Sequence, residues 1–326
     1  MPEVRIDPLS GHRTIVAGER SLRPGGEPRC PAPEPIVRED DPFADGHESR
    51  TPPELYAVRP HGGPADSPGW VVRVVPNLYP ALGAGGAPPP AQARPELFAA
   101  LPANGAHEVI VNGPQSVTSL AELPVEQVAA AMDVWRLRMR AHGDCAYAQL
   151  IVNERREAGA SLPHTHAQLY ALDFVPAEVA RERERFGAYA TRTMGHNLLG
   201  DLVAEEVRLR ERVVAIDDDA VLLAPYGSRL PFQLMLAPRR QRARFEEDGP
   251  LGAALLHDGL RRLTRHLGSS PPLNMWVRTA PLGADRFCWR IDVMPRLTHI
   301  AGLELSTGLN LNIVSPEHAA AVLRQS

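Results

Sequence analysis

The chain has 326 residues, 44% of them hydrophobic and 23% charged, with a formal net charge of -4 at pH 7. That length suits two domains at ~150 residues each, and the near-neutral charge excludes a nucleic-acid binder held mainly by backbone phosphates, which would be strongly basic. There is no lysine, all 35 basic residues being arginine, so Schiff-base, P-loop and kinase-type lysine chemistries are excluded and phosphate handling falls to Arg, His, backbone N–H groups or metal.

From the N-terminus, Arg5 to Val16 reads as a turn leading into a short strand. Ser21 to Pro35 and Asp40 to Pro64 are Pro-, Gly- and charge-rich, the composition of long irregular binding loops. Trp70 to Val75 is a β-branched run that predicts a strand, and Gly83 to Pro90 a loop or linker. His107 to Asn112 reads as a strand ending in a Gly-Pro turn. Val125, Val128, Met132, Trp135 and Met139 recur at three- and four-residue spacing and predict a helix from Pro124 to His142. Tyr147 to Asn153 is a strand, Glu154 to Pro163 a Gly-bearing loop, and His164 to Leu172 an alternating strand. A long charged helical stretch, Ala177 to Arg212, follows. The same order then recurs: strand Phe232 to Pro238, helix Leu251 to Leu267, strand Leu273 to Arg278, strand Phe287 to Met294. The reading is a duplicated α+β unit with mostly antiparallel strands and flanking helices, divided as 1–172 and 173–326.

No run approaches the ~18 consecutive apolar residues of a membrane span. The N-terminus lacks a charged region followed by an apolar one, so no signal peptide is expected. Cys30, Cys145 and Cys288 are too few for a disulfide framework. The expectation is a cytoplasmic protein with neither membrane nor nucleic-acid partner.

The candidate chemistry lies in the first unit. On a strand, His164, His166, Gln168 and Tyr170 would share one face, with Thr165, Ala167 and Leu169 on the other. Neutral imidazole attacks phosphorus at pH 7 without a helper base, and a companion at i−2 would orient it or bind metal. Two surface histidines on an edge strand would give the same spacing. The second unit has Cys288-Trp-Arg290-Ile-Asp292 in the matching region, without histidine. Cys30, His107 and His164 form an incomplete zinc set, because Pro33 occupies the fourth position of a would-be Cys-x-x-Cys; Glu34 or His47 would have to complete it. Asn77 sits in a Pro-bracketed turn after a strand, and Arg20 and Arg23 offer guanidinium groups to a phosphate.

Several segments resemble galactose-1-phosphate uridylyltransferases. They are Asp7-Pro-Leu-Ser-Gly, Glu19-Arg-Ser-Leu-Arg-Pro, Trp70 to Leu82, Gly105-Ala-His-Glu-Val-Ile-Val, Asn153 to Gln168 and Pro295-Arg-Leu-Thr-His-Ile-Ala-Gly. The resemblance runs from near residue 5 to the C-terminal helix and implies duplicated histidine-triad-like units. It further implies a nucleotidyltransferase working by double displacement: His166 attacks the α-phosphorus of a nucleoside diphosphate sugar, and a sugar 1-phosphate or inorganic phosphate then captures the nucleotide. On this resemblance His166 is the nucleophile, flanked by His164. Gln168 would bond the phosphoryl oxygens, and Asn77, Asn153, Gly159 and Ser161 the nucleotide and its phosphates. Arg20 and Arg23 match the phosphate-binding pair. A structural zinc and a homodimer are implied as well. The departures are Thr165 where the family has proline, Pro33 for the second zinc cysteine, and Cys288-x-Arg290 for the second unit's His-x-His. The alternatives carried alongside are a nucleoside-diphosphate-sugar or dinucleoside-polyphosphate phosphorylase and a non-catalytic nucleotide-binding protein.

Overall fold

A computed structural model describes residues 2–19, 30–83, 85 and 97–326. A small three-stranded sheet joins β1 (Glu3–Ile6), β2 (Arg13–Val16) and a strand near the C-terminus, β13 (Asn310–Asn312). The rest of the strand structure is one ten-stranded sheet. Its first half holds β3 (Tyr56–Val58), β4 (Val72–Pro76), β5 (Gly105–Val111), β6 (Tyr147–Glu154) and β7 (His166–Leu172). Its second half holds β8 (Val213–Ile216), β9 (Ala220–Leu223), β10 (Leu234–Pro238), β11 (Leu273–Arg278) and β12 (Arg290–Pro295).

The spatial order is β3-β4-β5-β7-β6-β11-β12-β10-β9-β8, every pair antiparallel. The second half therefore repeats the first in reverse, and β6 against β11 is the seam. One face of this sheet packs on α1 (Val125–Ala141), α4 (Ala253–Leu267) and α5 (Pro316–Gln325) through the main core, where Ala167, Leu169, Val152, Met275, Ile291 and Val293 meet Met132, Trp135, Leu260 and Leu323. Strand side chains alternate between faces, so Gln168 and Tyr170 stand on the opposite, open face. Directly opposed residues share a face. Ile151, Trp276, Asp292 and Met235, each opposite its neighbour starting from Gln168, continue that face across the seam.

The two halves cover the open face differently. In the first, Phe43 and Trp70 from the loops before β4 pack on Val75, Val109 and Val111. In the second, α2 (Ala177–Arg192) and α3 (Leu198–Leu209) lay Phe186, Leu199 and Val203 on Val221, Leu223, Met235 and Ala237. The single helix expected over Ala177 to Arg212 is thus two. Met194 and Gly195 take positive φ, and Asn197 caps α3 by accepting from Gly200 N–H, which ends one helix and starts another. β3, β8 and β9 were not anticipated; they are three or four residues long and lie beside turn-rich segments. No described helix is long and apolar enough to cross a membrane.

Candidate active site

β7 begins at His166, two residues later than the sequence pattern predicts. Thr165 bonds outside the ladder: its N–H donates to Val117 O, and its carbonyl accepts from Asn112 N–H. His164 accordingly leaves the shared face and sinks to 1% exposure. Its Nδ1 lies 2.7 Å from Asp41 Oδ2 and its Nε2 2.8 Å from Gly113 O. Both partners are acceptors, so each ring nitrogen donates. Asp41 also accepts from Ser116 Oγ at 2.7 Å and from Phe43 N–H at 3.0 Å. Burial pushes the Asp41 carboxyl up, but these hydrogen bonds win and hold it below the ordinary carboxylate range.

This anchored residue positions His166. His166 Nδ1 donates to the His164 carbonyl at 2.7 Å. That fixes the tautomer and leaves Nε2 with a lone pair and no protein partner among the described residues. Burial pushes the His166 pKa down, outweighing the pull of that hydrogen bond, so the ring is neutral at pH 7. The Phe43 ring stands edge-on to it, 5.3 Å between centroids, and forms an apolar wall.

Gln168 is held from the other side. Ala81 N–H donates to His107 Nδ1 at 3.1 Å, which puts the proton of this buried ring on Nε2. Nε2 then donates to Gln168 Oε1 at 3.0 Å, and Tyr170 OH donates to the same oxygen at 3.0 Å. The Gln168 amide N–H groups are left without a partner among the described residues. Asn77 stands beside this chain, its Nδ2 3.1 Å from His107 Nε2 with both nitrogens donors, and its Oδ1 accepts from Tyr79 N–H. Asn153, on β6, is fixed by Asn274 Nδ2 donating to its Oδ1 at 2.8 Å. Gly159 closes a single 3-10 turn with φ of 89°, in the left-handed region that favours glycine. Ser161 follows it on the rim of a cleft of about 580 Å³ shared with Thr118, Arg155 and Arg156. Arg20 and Arg23 lie outside the described residues.

The proposed zinc set is not assembled. Cys30 Sγ lies 3.0 Å from Arg155 Nη1, a guanidinium where a metal ligand would need a cation site, and Arg155 also donates to the Pro31 and Ser270 carbonyls. The ring nitrogens of His107 and His164 are committed as described, and no group of three metal-binding side chains occurs among the described residues. These donors do not fit a zinc ion. The residue that packs on His164 is Asp41, not Cys30. Sequence reading missed Asp41 because it lies 123 positions upstream in a loop read as irregular; the available signal was that a buried His-x-His needs acceptors for its ring protons. The second half keeps the expected correspondence: β12, the strand in the place of β7, opens on Arg290, so Arg290 stands for His166 and Asp292 for Gln168.

Residues 71–176 match the family described as galactose-1-phosphate uridyl transferase, N-terminal domain. An ADP-glucose phosphorylase of Arabidopsis thaliana is 27% identical over 99% of this chain and 93% of its own length. A galactose-1-phosphate uridylyltransferase of Cryptococcus neoformans is 28% identical over 99% of this chain and 89% of its own. The crystal structure of an Arabidopsis ADP-glucose phosphorylase with bound ADP-glucose superposes with a TM-score of 0.81, at 25% identity over 100% of this chain and 99% of that one.

Proposed function

Because the chain belongs to the galactose-1-phosphate uridylyltransferase family, we propose that it moves a nucleoside monophosphate from a nucleoside diphosphate sugar to a phosphate-bearing acceptor by way of His166. The observation that carries this reading is the tautomer: Nδ1 is bound to a backbone carbonyl and Nε2 has no partner among the described residues. In the first step Nε2 attacks the α-phosphorus, a P–N bond forms, and the P–O bond to the sugar phosphate breaks. The leaving sugar 1-phosphate takes the electron pair as an anion, so no general acid is needed. In the second step a phosphate oxygen of the acceptor attacks the same phosphorus and the P–N electrons return to His166. The protein's contribution is position and charge. The Gln168 amide, aimed by His107 and Tyr170, donates to a non-bridging oxygen in both steps.

Two acceptors are in question. A sugar 1-phosphate makes the protein a transferase. Inorganic phosphate makes it a phosphorylase, and the near full-length likeness to an ADP-glucose phosphorylase supports that reading. The test is intact-protein mass measurement after mixing with UDP-glucose and, separately, ADP-glucose. An acid-labile gain of one nucleoside monophosphate, absent in His166→Asn, is the expected result and identifies the base. Discharge of that adduct by phosphate or by galactose 1-phosphate then identifies the acceptor. Turnover retained in His166→Asn overturns the mechanism; ligand-induced thermal stabilisation without adduct or turnover replaces it with a non-catalytic nucleotide-binding protein. A homodimer, which the family resemblance implies, is part of the same proposal and is read by sedimentation.

A further inference from the structure

The open face of the second half carries a cleft of about 310 Å³ directly over the strand that stands for β7. Its floor is built from Gln233, Trp276, Arg278, Arg290 and Asp292, and α2 supplies Glu182 to its wall. Arg290 is spent: both terminal nitrogens donate to Glu182 at 3.0 Å, and its Nε donates to Asp292 Oδ2 at 3.0 Å. Other donors are not. The Arg229 guanidinium touches Met294 Sδ and lies 5.9 Å from the centre of the Trp276 ring, with no carboxylate of the described residues in ion-pairing range. Trp276 Nε1 is buried without an acceptor. Gln233 uses its Oε1 to hold Arg229 N–H, and its amide nitrogen has no partner among the described residues. A buried N–H without an acceptor costs free energy that a bound oxygen restores. Four carboxylates line the cleft, each already engaged: Asp7 accepts from Leu9 and Ser10, Glu178 pairs with His12 and Arg181, Glu182 with Arg290 and Arg278, and Asp292 with Arg290. Of the lining guanidinium groups Arg229 alone lacks an ion-pair partner among the described residues, so the oxygen should come from an anion. The volume is several times the ~30 Å³ that one water occupies in the liquid, room for a phosphate together with a ring-sized organic group. Asp292 Oδ1, left over from the bond to Arg290, accepts a hydroxyl.

We infer that this cleft binds a sugar phosphate, with its phosphoryl group on Arg229 and the Trp276 N–H and its hydroxyls toward Asp292. It binds without reacting, because a guanidinium always carries its proton and offers no lone pair to phosphorus. The first half attacks a phosphoryl group at this place in the fold; the second half only holds one. The inference does not depend on nucleotidyl transfer at His166.

The test is calorimetric titration of the full chain with glucose 1-phosphate and, separately, inorganic phosphate, for wild type, Arg229→Gln and Trp276→Phe. The expected result is at least tenfold weaker glucose 1-phosphate binding, or one site fewer per chain, in both variants. The His166 adduct yield with a nucleoside diphosphate sugar stays at the wild-type level, which separates this site from the catalytic one. Trp276→Phe keeps the ring and loses only the donor, so it reports even where Arg229→Gln fails to fold. Titrations identical to wild type in both variants overturn the inference. Inorganic phosphate binding as tightly as the sugar phosphate, with the same dependence on Arg229, overturns the assignment of the ligand.

Discussion

The two halves of the sheet share a strand order but not a chemistry. In the first, β7 opens on an imidazole whose Nδ1 is bound and whose Nε2 has no partner among the described residues, and the hydrogen-bonded pair of His164 and Asp41 lies one layer back. In the second, β12 opens on a guanidinium whose hydrogen bonds are consumed by Glu182 and Asp292 on the open face itself. Burial pushes the Glu182 carboxyl up, but Arg290 and Arg278 hold it below the ordinary range. What covers each face follows suit: loop residues with one aromatic wall in the first half, two packed helices in the second. The frame fixes where a reactive group would stand, and the first residue of one strand decides whether it reacts.

The comparison breaks most sharply at His166. His166→Asn should lower nucleotidyl transfer by ~10⁴-fold or more, with unchanged circular dichroism. In the wild type the acid limb of the rate profile should have its midpoint below pH 6.5, because burial favours the neutral ring. Arg290→Gln should do the reverse. It strands two buried carboxylates and costs roughly 3–5 kcal/mol of stability in denaturant titration, while folded protein forms the His166 adduct at the wild-type rate. A slowed adduct would show that the halves are coupled. Asp41→Asn sits between these cases. It should cost about 2–4 kcal/mol, by loss of a buried charge partner, and slow adduct formation by loosening the carbonyl that holds His166. Asp41→Asn combined with His164→Gln should cost less than the sum of the two single changes.

The smallest effect is at Glu154, whose carboxyl burial pushes up to about 7 behind the catalytic loop. Its Oε1 accepts from Leu120 N–H and Thr165 Oγ1, and its Oε2 is buried without a partner. The folded state therefore holds a proton that the unfolded chain releases near pH 4.5, and stability should fall as pH rises from about 4.5 to 7 and then level off. Thermal midpoints across that range measure the effect, and Glu154→Gln should flatten it and raise the midpoint at pH 8 by a few degrees, ~1 kcal/mol or more.

How much of this was legible in the chain depended on distance along it. His166 and Gln168 stand on one strand whose alternation is local, and their shared face follows from its period; Asn153 enters only through the family resemblance. The α+β architecture with a largely antiparallel sheet was readable for the same reason, as were α1 and β11 nearly to the residue. Asp41 and Ser116 were not legible, because what places them is a loop crossing to His164, and no periodicity encodes that. His107 was read as a ligand; it serves instead to aim Gln168, a role fixed by one backbone N–H from Ala81. The break between α2 and α3 is not legible because it rests on a left-handed Met194 beside Gly195 inside a long charged run, and a non-glycine residue gives no local signal for positive φ.

The seam between β6 and β11 has a last consequence. Five residue pairs, Leu150 through Glu154 against Val277 through Leu273, join the halves in the middle of the sheet. Cutting the chain between β7 and α2 would turn each of these strands into a long edge, with unpaired backbone flanked by Leu150, Val152, Met275 and Val277. Neither fragment would be expected to stay soluble alone. A gene that doubled a smaller ancestor would, once this seam formed, have lost the option of separating the copies again. The half without the His166 imidazole is then retained as the neighbour that keeps the other half from sticking to itself.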